Sequence, residues 1–479
     1  MSDGESKLEK GIPSSRKTGY GLIILPDGRL AASKGRSEYF VSPENIDKEF
    51  NLISWDPMNE ISFTCVDREG QVLEVSRGST TVVDGIMGLD IDRIYSNRYA
   101  FAAILKGGRV ATWGVESVGG SLGLAEKKLE GQVVQYICST EEAFAALTTR
   151  GRVATWGSSY PGGSLAEKKL EGQVVKNIYS TKKAFAALTT RGRVVTWGDA
   201  RYGGDSSGVQ GELKRHEVKQ ICSNEMAFAA LTDTGRVVTW GWADRGGDSS
   251  AVQGELEDQI VEKIYSNKNA FAAVTTRGRV VTWGRAEDGG DSSAVQEELE
   301  VHVVEKIYST DFAFAALTEK GKVVTWGVRS FGGTLGKAEN ELKKQVVKNI
   351  YSDDSSFAAL TVSGQVVSWP LQRVFNIPNG REVLDIVGNT IILDNWDVLA
   401  VNRELPSLLN DPNYLRFIRN RRLYTGAIKR TLLNAADPEK VLEGPIDIYQ
   451  RAVLGNKDLR ELLLTYVNVW RGEPKGEGE

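Results

Sequence analysis

At 479 residues, 41% hydrophobic and 25% charged, the chain has room for two or three average domains or one large repeat domain, and it is too apolar to be disordered throughout. A net charge of −4 supplies no overall attraction for nucleic acid or an anionic membrane. No run approaches the ~20 apolar residues of a bilayer span, and the three cysteines (Cys65, Cys138, Cys222) are too few for a disulfide framework.

In chain order, residues 1–18 are polar, lack an apolar signal core and read as a disordered tail, so a reducing compartment is expected, the cytoplasm or else the nucleus. Two hairpin-like stretches follow, GLIILPDGRLAAS from Gly21 and FTCVDREGQVLEVS from Phe63, each with a glycine at its turn (Gly28, Gly70). The same pattern then becomes a clear repeat. FAAILKGGRVATWG at Phe101 recurs with few changes at Phe144, Phe185, Phe228, Phe271 and Phe314, and as FAALTVSGQVVSWP at Phe357. All but one of the starts are spaced by 43 residues, and the step from Phe144 to Phe185 is 41.

Each unit reads as three strands. VVEKIYS (303–309) leads, AFAALT is second, and RVVTWG is third, the last two joined by a glycine turn as in a β-hairpin. A Gly-Gly pair and a polar, partly helical run such as AEKKLEGQ connect one unit to the next. Short strands at this period predict an all-β fold, a β-propeller of ~42-residue, three-stranded blades. Seven units are clear, and the degenerate ones allow eight to ten. An open solenoid is the alternative for such a period. The small Ala-Ala positions suggest that the second strand crowds the central axis. The propeller is expected over 19–403, with clear repeats at 91–370 and degenerate ones at 19–90 and 381–403. EVLDIVG near Glu382 is expected to lead the Gly21 hairpin and so close a ring of about nine blades.

After Asn402 the strand pattern stops. Asp411-Pro and Asp437-Pro match helix starts, and 404–472 reads as a small α-helical extension, with 473–479 a frayed tail.

The ALT strand, turn glycine, Trp-Gly strand end and Gly-Gly link together resemble the repeat of the regulator of chromosome condensation family. GGSLG (119–123) and GGTLG (332–336) are similar to its Gly-Gln-Leu-Gly signature with one substitution. The short spacing is closer to the compact blades of propeller-type β-lactamase inhibitor proteins. The resemblance implies a propeller and a habit of binding proteins. Where the family usually has His before its Ala-Leu strand, this chain has Ala-Phe (Ala270-Phe271, Ala313-Phe314), and nothing matches a nucleotide-exchange wedge.

Candidate sites follow from where the repeats agree and disagree. His216 and His302 share a column with Gln132, Gln173, Gln259 and Gln345, which suits a solvent-edge polar position rather than a tuned general base. Cys138 and Cys222 replace a strand tyrosine and are too dispersed for a metal site. Gly-Gly-Asp-Ser-Ser at Gly203, Gly246 and Gly289 lacks the Lys-Ser/Thr of a phosphate loop and reads as a turn in which Asp and Ser satisfy backbone donors. The residue after each turn glycine is basic (Arg109, Arg152, Arg193, Arg236, Arg279, Lys322), a ring of charge that would suit an acidic protein or a phosphate backbone.

Between the Trp-Gly and Gly-Gly pairs lie four residues that vary while their flanks do not. Tyr160, Asp199, Arg201, Tyr202, Trp242, Arg245, Arg285, Asp288, Arg329 and Phe331 there supply the aromatic and arginine chemistry of interface hot spots. The expected function is a non-enzymatic scaffold or regulator that binds a protein through these tips, with no cofactor, metal or membrane, and with nucleic acid less favoured. The alternatives are guanine-nucleotide exchange on a small GTPase, and an enzyme or small-molecule site at the propeller channel.

Overall fold

A computed structural model describes residues 91–158, 168–371 and 373–377, together with strand segments between 20 and 82 and between 383 and 400. The expected helical extension and both tails lie outside the described residues, as does Tyr160.

The seven clear repeats form seven successive antiparallel sheets, the blades of an all-β propeller. In the fifth, the leading strand Val261–Ser266 pairs with Ala270–Thr275, which pairs in turn with Val280–Gly284. The middle strand is buried along its whole length, BBBBBB. It has a neighbour on both edges and a blade against each face, so only small side chains fit at Ala270, Ala272 and Ala273. Opposite Phe271 in the register stands Trp283, and their rings stack with centroids 5.4 Å apart. Each sheet therefore carries one large aromatic pair in an otherwise alanine-rich layer.

Cores lie between blades, not within them. Ala227, Ala229 and Leu231 of the fourth blade pack against Ile264, Phe271 and Trp283 of the fifth, and Leu256 of the linking helix Gln253–Glu257 fills the seam. Burying each such large side chain contributes about 1.5–3 kcal/mol, so a blade without its neighbour would lose most of its core.

Leading strands of adjacent blades touch one another and are innermost. Ser266 Oγ donates to the Ser223 carbonyl at 3.0 Å, and Ser309 Oγ to Ser266 at 2.9 Å. The alanine-rich strand, expected against the axis, is instead the middle one. Its small residues answer to crowding by the neighbouring blades.

The seventh sheet gains a fourth strand, Arg373–Asn376, after Gln365–Trp369, where no Gly-Gly link follows. Tyr20–Ile24, Leu30–Lys34 and Ser37–Phe40 form a sheet, and so do the four strands from Phe50–Asn51 to Ser79–Val82. Val383–Val387 pairs with Thr390–Leu393 and leads its own sheet. Contrary to the expectation from the sequence, it therefore does not lead the Gly21 hairpin.

Candidate functional site

Because strands alternate in direction, the leading-to-middle turns and the ends of the third strands share one face, and the glycine hairpins share the other. Backbone bonds join the first set. Trp242 N–H donates to Met226 O at 3.1 Å, Asp199 to Lys183 at 2.9 Å and Arg285 to Asn269 at 3.0 Å. The variable residues fold as single 3-10 turns, such as Ala200–Tyr202, Ala243–Arg245 and Ala286–Asp288, each closed by a left-handed glycine. A side chain from the neighbouring turn fastens each last carbonyl. Asn224 Nδ2 donates to Arg245 O at 2.6 Å, and Thr181 Oγ1 to Tyr202 O at 3.0 Å.

At the seam between the third and fourth blades this scaffold brings four predicted or neighbouring residues together. Tyr202 and Trp242 meet edge to face at 5.8 Å. The Arg201 guanidinium lies 5.1 Å over the Trp242 ring, and Lys183 Nζ 5.7 Å over Tyr202. Asp199 accepts from Arg201 N–H at 2.9 Å, so it caps the turn. The two rings are half-buried, Tyr202 against the core beneath. Phe331 behaves similarly, packed on its blade core and against Phe312 at 4.8 Å, while Arg329 is exposed.

Asp288 corrects the expectation of a presented tip residue. It is 4% exposed, accepts from Asn269 Nδ2 at 2.9 Å, and lies 3.7 Å from Arg245 and 3.6 Å from Arg285. Its carboxylate holds the two arginines from below. The column of His and Gln is half-buried along its length, and the buried atoms Gln132 Oε1, Gln259 Oε1 and His302 Nδ1 have no partner among the described residues. The Gly-Gly-Asp-Ser-Ser turns behave as read. Asp205, Asp248 and Asp291 accept from Ser207, Ser250 and Ser293 N–H at 2.8–2.9 Å, and these bonds hold the Asp205 and Asp291 carboxyls below their ordinary range.

One arrangement on this face has partners too far apart in sequence to be seen locally. The residues at the leading-to-middle turns form a chain of backbone bonds, blade to blade, running Arg98, Glu141, Lys182, Glu225, Lys268, Asp311, Asp354, with each N–H donating to the next carbonyl at 2.8–3.3 Å. Their charges alternate as far as Asp311. Lys182 Nζ stands 2.7 Å from Glu225 and 3.9 Å from Glu141, and Lys268 Nζ 2.7 Å from Asp311 and 3.9 Å from Glu225. Asp354 breaks the alternation. Burial pushes the Asp311 carboxyl up to about 6, with Asp354 and Glu225 adding to it and Lys268 opposing. Aligning the repeats by column would have exposed this alternation.

The basic ring lies on the opposite face, with all six residues exposed. Two hollows between blades open near it. One of about 30 Å³, room for a single water, is lined in part by His216, Arg236 and Glu257, and the other in part by Arg193 and Gln210. Cys222 and Cys138 are outside any disulfide and turned toward Ser266 and Ser180 of the next blade. Burial pushes the Cys222 thiol up to about 11. Among the described residues, no three His, Cys, Asp or Glu cluster as a metal site would require, and no helix is long and apolar enough to cross a membrane.

The fold and this surface define a repeat propeller with a structured, variable face. No family model matches the chain, and neither does any curated protein. Solved structures similar to it include human WBSCR16 (14% identity, 52% of this chain and 78% of that one, TM-score 0.30). Prp20p of Saccharomyces cerevisiae is another (16%, 50% and 72%, TM-score 0.32), as is the CRINKLY ectodomain of the Arabidopsis thaliana receptor kinase ACR4 (12%, 58% and 95%, TM-score 0.32). At these scores the architecture rests on the blades themselves.

Proposed function

We propose that this protein is a non-enzymatic scaffold or regulator that binds another protein through the face bearing the third-strand ends, acting in the cytoplasm or nucleus. The observation that carries this reading is the Tyr202–Trp242 pair, flanked by Arg201 and Lys183. Rings already fixed by the core lose little freedom on binding, and a cation stacked on each leaves its outward donors free. That is the composition of an interface anchor. The surrounding turns differ from blade to blade on an unchanging frame, which separates recognition from folding.

The test is affinity capture with the full chain, alongside a Y202A/W242A variant checked for an unchanged melting transition. Loss of a captured protein from the variant supports the reading, and full retention of every captured protein overturns it. Guanine-nucleotide exchange would appear as faster nucleotide release from a small GTPase, and no residue pattern on this face favours it.

A further inference from the structure

The opposite face carries a second arrangement. Four of the six turn cations have another cation two residues earlier, at Arg150, Arg191, Arg277 and Lys320, and all of these are exposed. Only two acids, Asp233 and Glu319, occur in the six turns. The backbone of each basic turn residue is engaged within its own hairpin. Thr275 Oγ1 accepts from Arg279 N–H at 3.1 Å, and the Arg279 carbonyl accepts from Thr275 N–H at 2.9 Å, so only the side chain projects. Arg236 lies 3.8 Å from Glu257, and Arg193 Nη1 donates to Lys214 O. Among the described residues Arg150, Arg152, Arg277 and Arg279 make no ion pair.

These turns are spliced into a continuous rim. The first strand residue of each blade donates to the turn glycine of the blade before, as Val175 does to Gly151 at 2.8 Å and Val304 to Gly278 at 3.0 Å. The residue just ahead of it lies against that glycine and stays half in solvent, at 48% for Val133, 50% for Val174, 59% for Ile260, 45% for Val303 and 53% for Val346. Among the described residues Glu217 is the one exception in this column. At the other five joints an aliphatic side chain stands beside the turn cation, on a protein whose net charge is −4.

We infer that this rim is a docking track for an acidic polypeptide segment with interspersed apolar residues, a surface independent of the Tyr202–Trp242 face. The cations match carboxylates, and the aliphatics between them match apolar side chains at intervals. A flexible chain follows an arc that a straight duplex touches only in part. Among the described residues, these six turns and the aliphatic column beside them also carry no aromatic ring on which unpaired bases would stack.

The test uses the full chain and fluorescein-labelled peptides read by anisotropy. One peptide repeats Glu-Glu-Leu, a second carries Gln in place of Glu, and single- and double-stranded DNA serve as competing probes. The Glu peptide should bind, weaken as salt rises, and lose about tenfold or more in affinity to R150E/R152E/R277E/R279E. V174S/V303S should weaken it about threefold without changing the salt dependence, and W242A should leave it unchanged. Single reversals at Arg150 and Arg277, each checked by thermal melting, keep the test readable if the quadruple variant melts early. Equal binding of the Gln peptide, tighter binding of DNA, or indifference to charge reversal would overturn the inference.

Discussion

The Trp283 indole donates its N–H to the carbonyl of Gly246, thirty-seven positions earlier and one blade back, at 3.2 Å. The same bond joins Trp156 to Gly119, Trp240 to Gly203, Trp326 to Gly289 and Trp369 to Gly332. Gly246 also lies flat on the Phe271–Trp283 pair. A Cβ there would stand 2.5 Å from the phenyl ring, and its φ of +94° excludes most other residues. The repeated Trp-Gly and Gly-Gly pairs are thus the two halves of one joint between blades.

Substitutions in that joint should be costly. Gly246→Ala is expected to lower stability by about 2 kcal/mol or more, through strain at positive φ and displacement of Phe271. Trp283→Phe should cost about 1–3 kcal/mol through the lost bond and lost volume. Gly254, in a linking helix with open space at its Cβ position, is the control. Gly254→Ala should raise stability by about 0.5–1 kcal/mol. Chemical denaturation of the three variants checks all three signs, and equal effects at Gly246 and Gly254 would refute the account.

Asp311 should give stability a pH dependence opposite to that of an ordinary ion-paired carboxylate. Its folded-state value is about 6 against an ordinary 3.8, so well below 3.8 both states hold the proton and no difference arises. Between there and 6 the unfolded chain ionises while the folded one stays protonated. This contribution to stability therefore falls as pH rises through the window, by on the order of 1–3 kcal/mol, and the penalty is complete above 6. Asp311→Asn should flatten that part of the profile in urea unfolding measured from pH 4 to 7. An unchanged slope would count against it.

Cys222 should be slow to react. With its thiol pushed up to about 11, the thiolate fraction at pH 8 is about a hundredfold below that of a free cysteine. In a C65S/C138S variant, disulfide exchange with Ellman's reagent should be at least that much slower in the native protein than in urea. Comparable rates would show that the thiol is neither buried nor held by Ser266.

Replacing Asp288 should disturb its surroundings more than its own exposure suggests. Asp288→Ala removes the acceptor for Asn269 and leaves Arg245 and Arg285 facing one another without their shared carboxylate. A loss of about 2–3 kcal/mol is expected, read as a lower melting temperature. Asp288→Asn should recover part of it. Stability unchanged in both would assign the residue to the surface after all.

The strands, hairpins and link turns were legible because each is written in a short window. The alternation and turn glycine of RVVTWG and its partner mark a hairpin without reference to the rest of the chain. What escaped was set by neighbours one repeat away. Asp288 is buried because Asn269 and Arg245 close over it, and nothing in the tetrapeptide RAED signals that. Tyr202 and Trp242 stood out in the sequence as aromatics at variable positions, but their mutual edge contact depends on two turns in adjacent blades. The alternating Glu and Lys turns escaped because their partners stand a full repeat apart.

The chain of backbone bonds from Arg98 to Asp354 runs in a single direction, every N–H pointing toward the following blade. Each joint therefore has a donor side and an acceptor side, and any blade presents the donor that the one before it presents. At the level of the backbone each unit offers its neighbours the same joint, whereas the charges do not repeat: without residues 246–288, Glu225 would meet Asp311 and lose Lys268 from between them. The variable turns travel with their units, so the surface they form differs from blade to blade on a frame that stays the same.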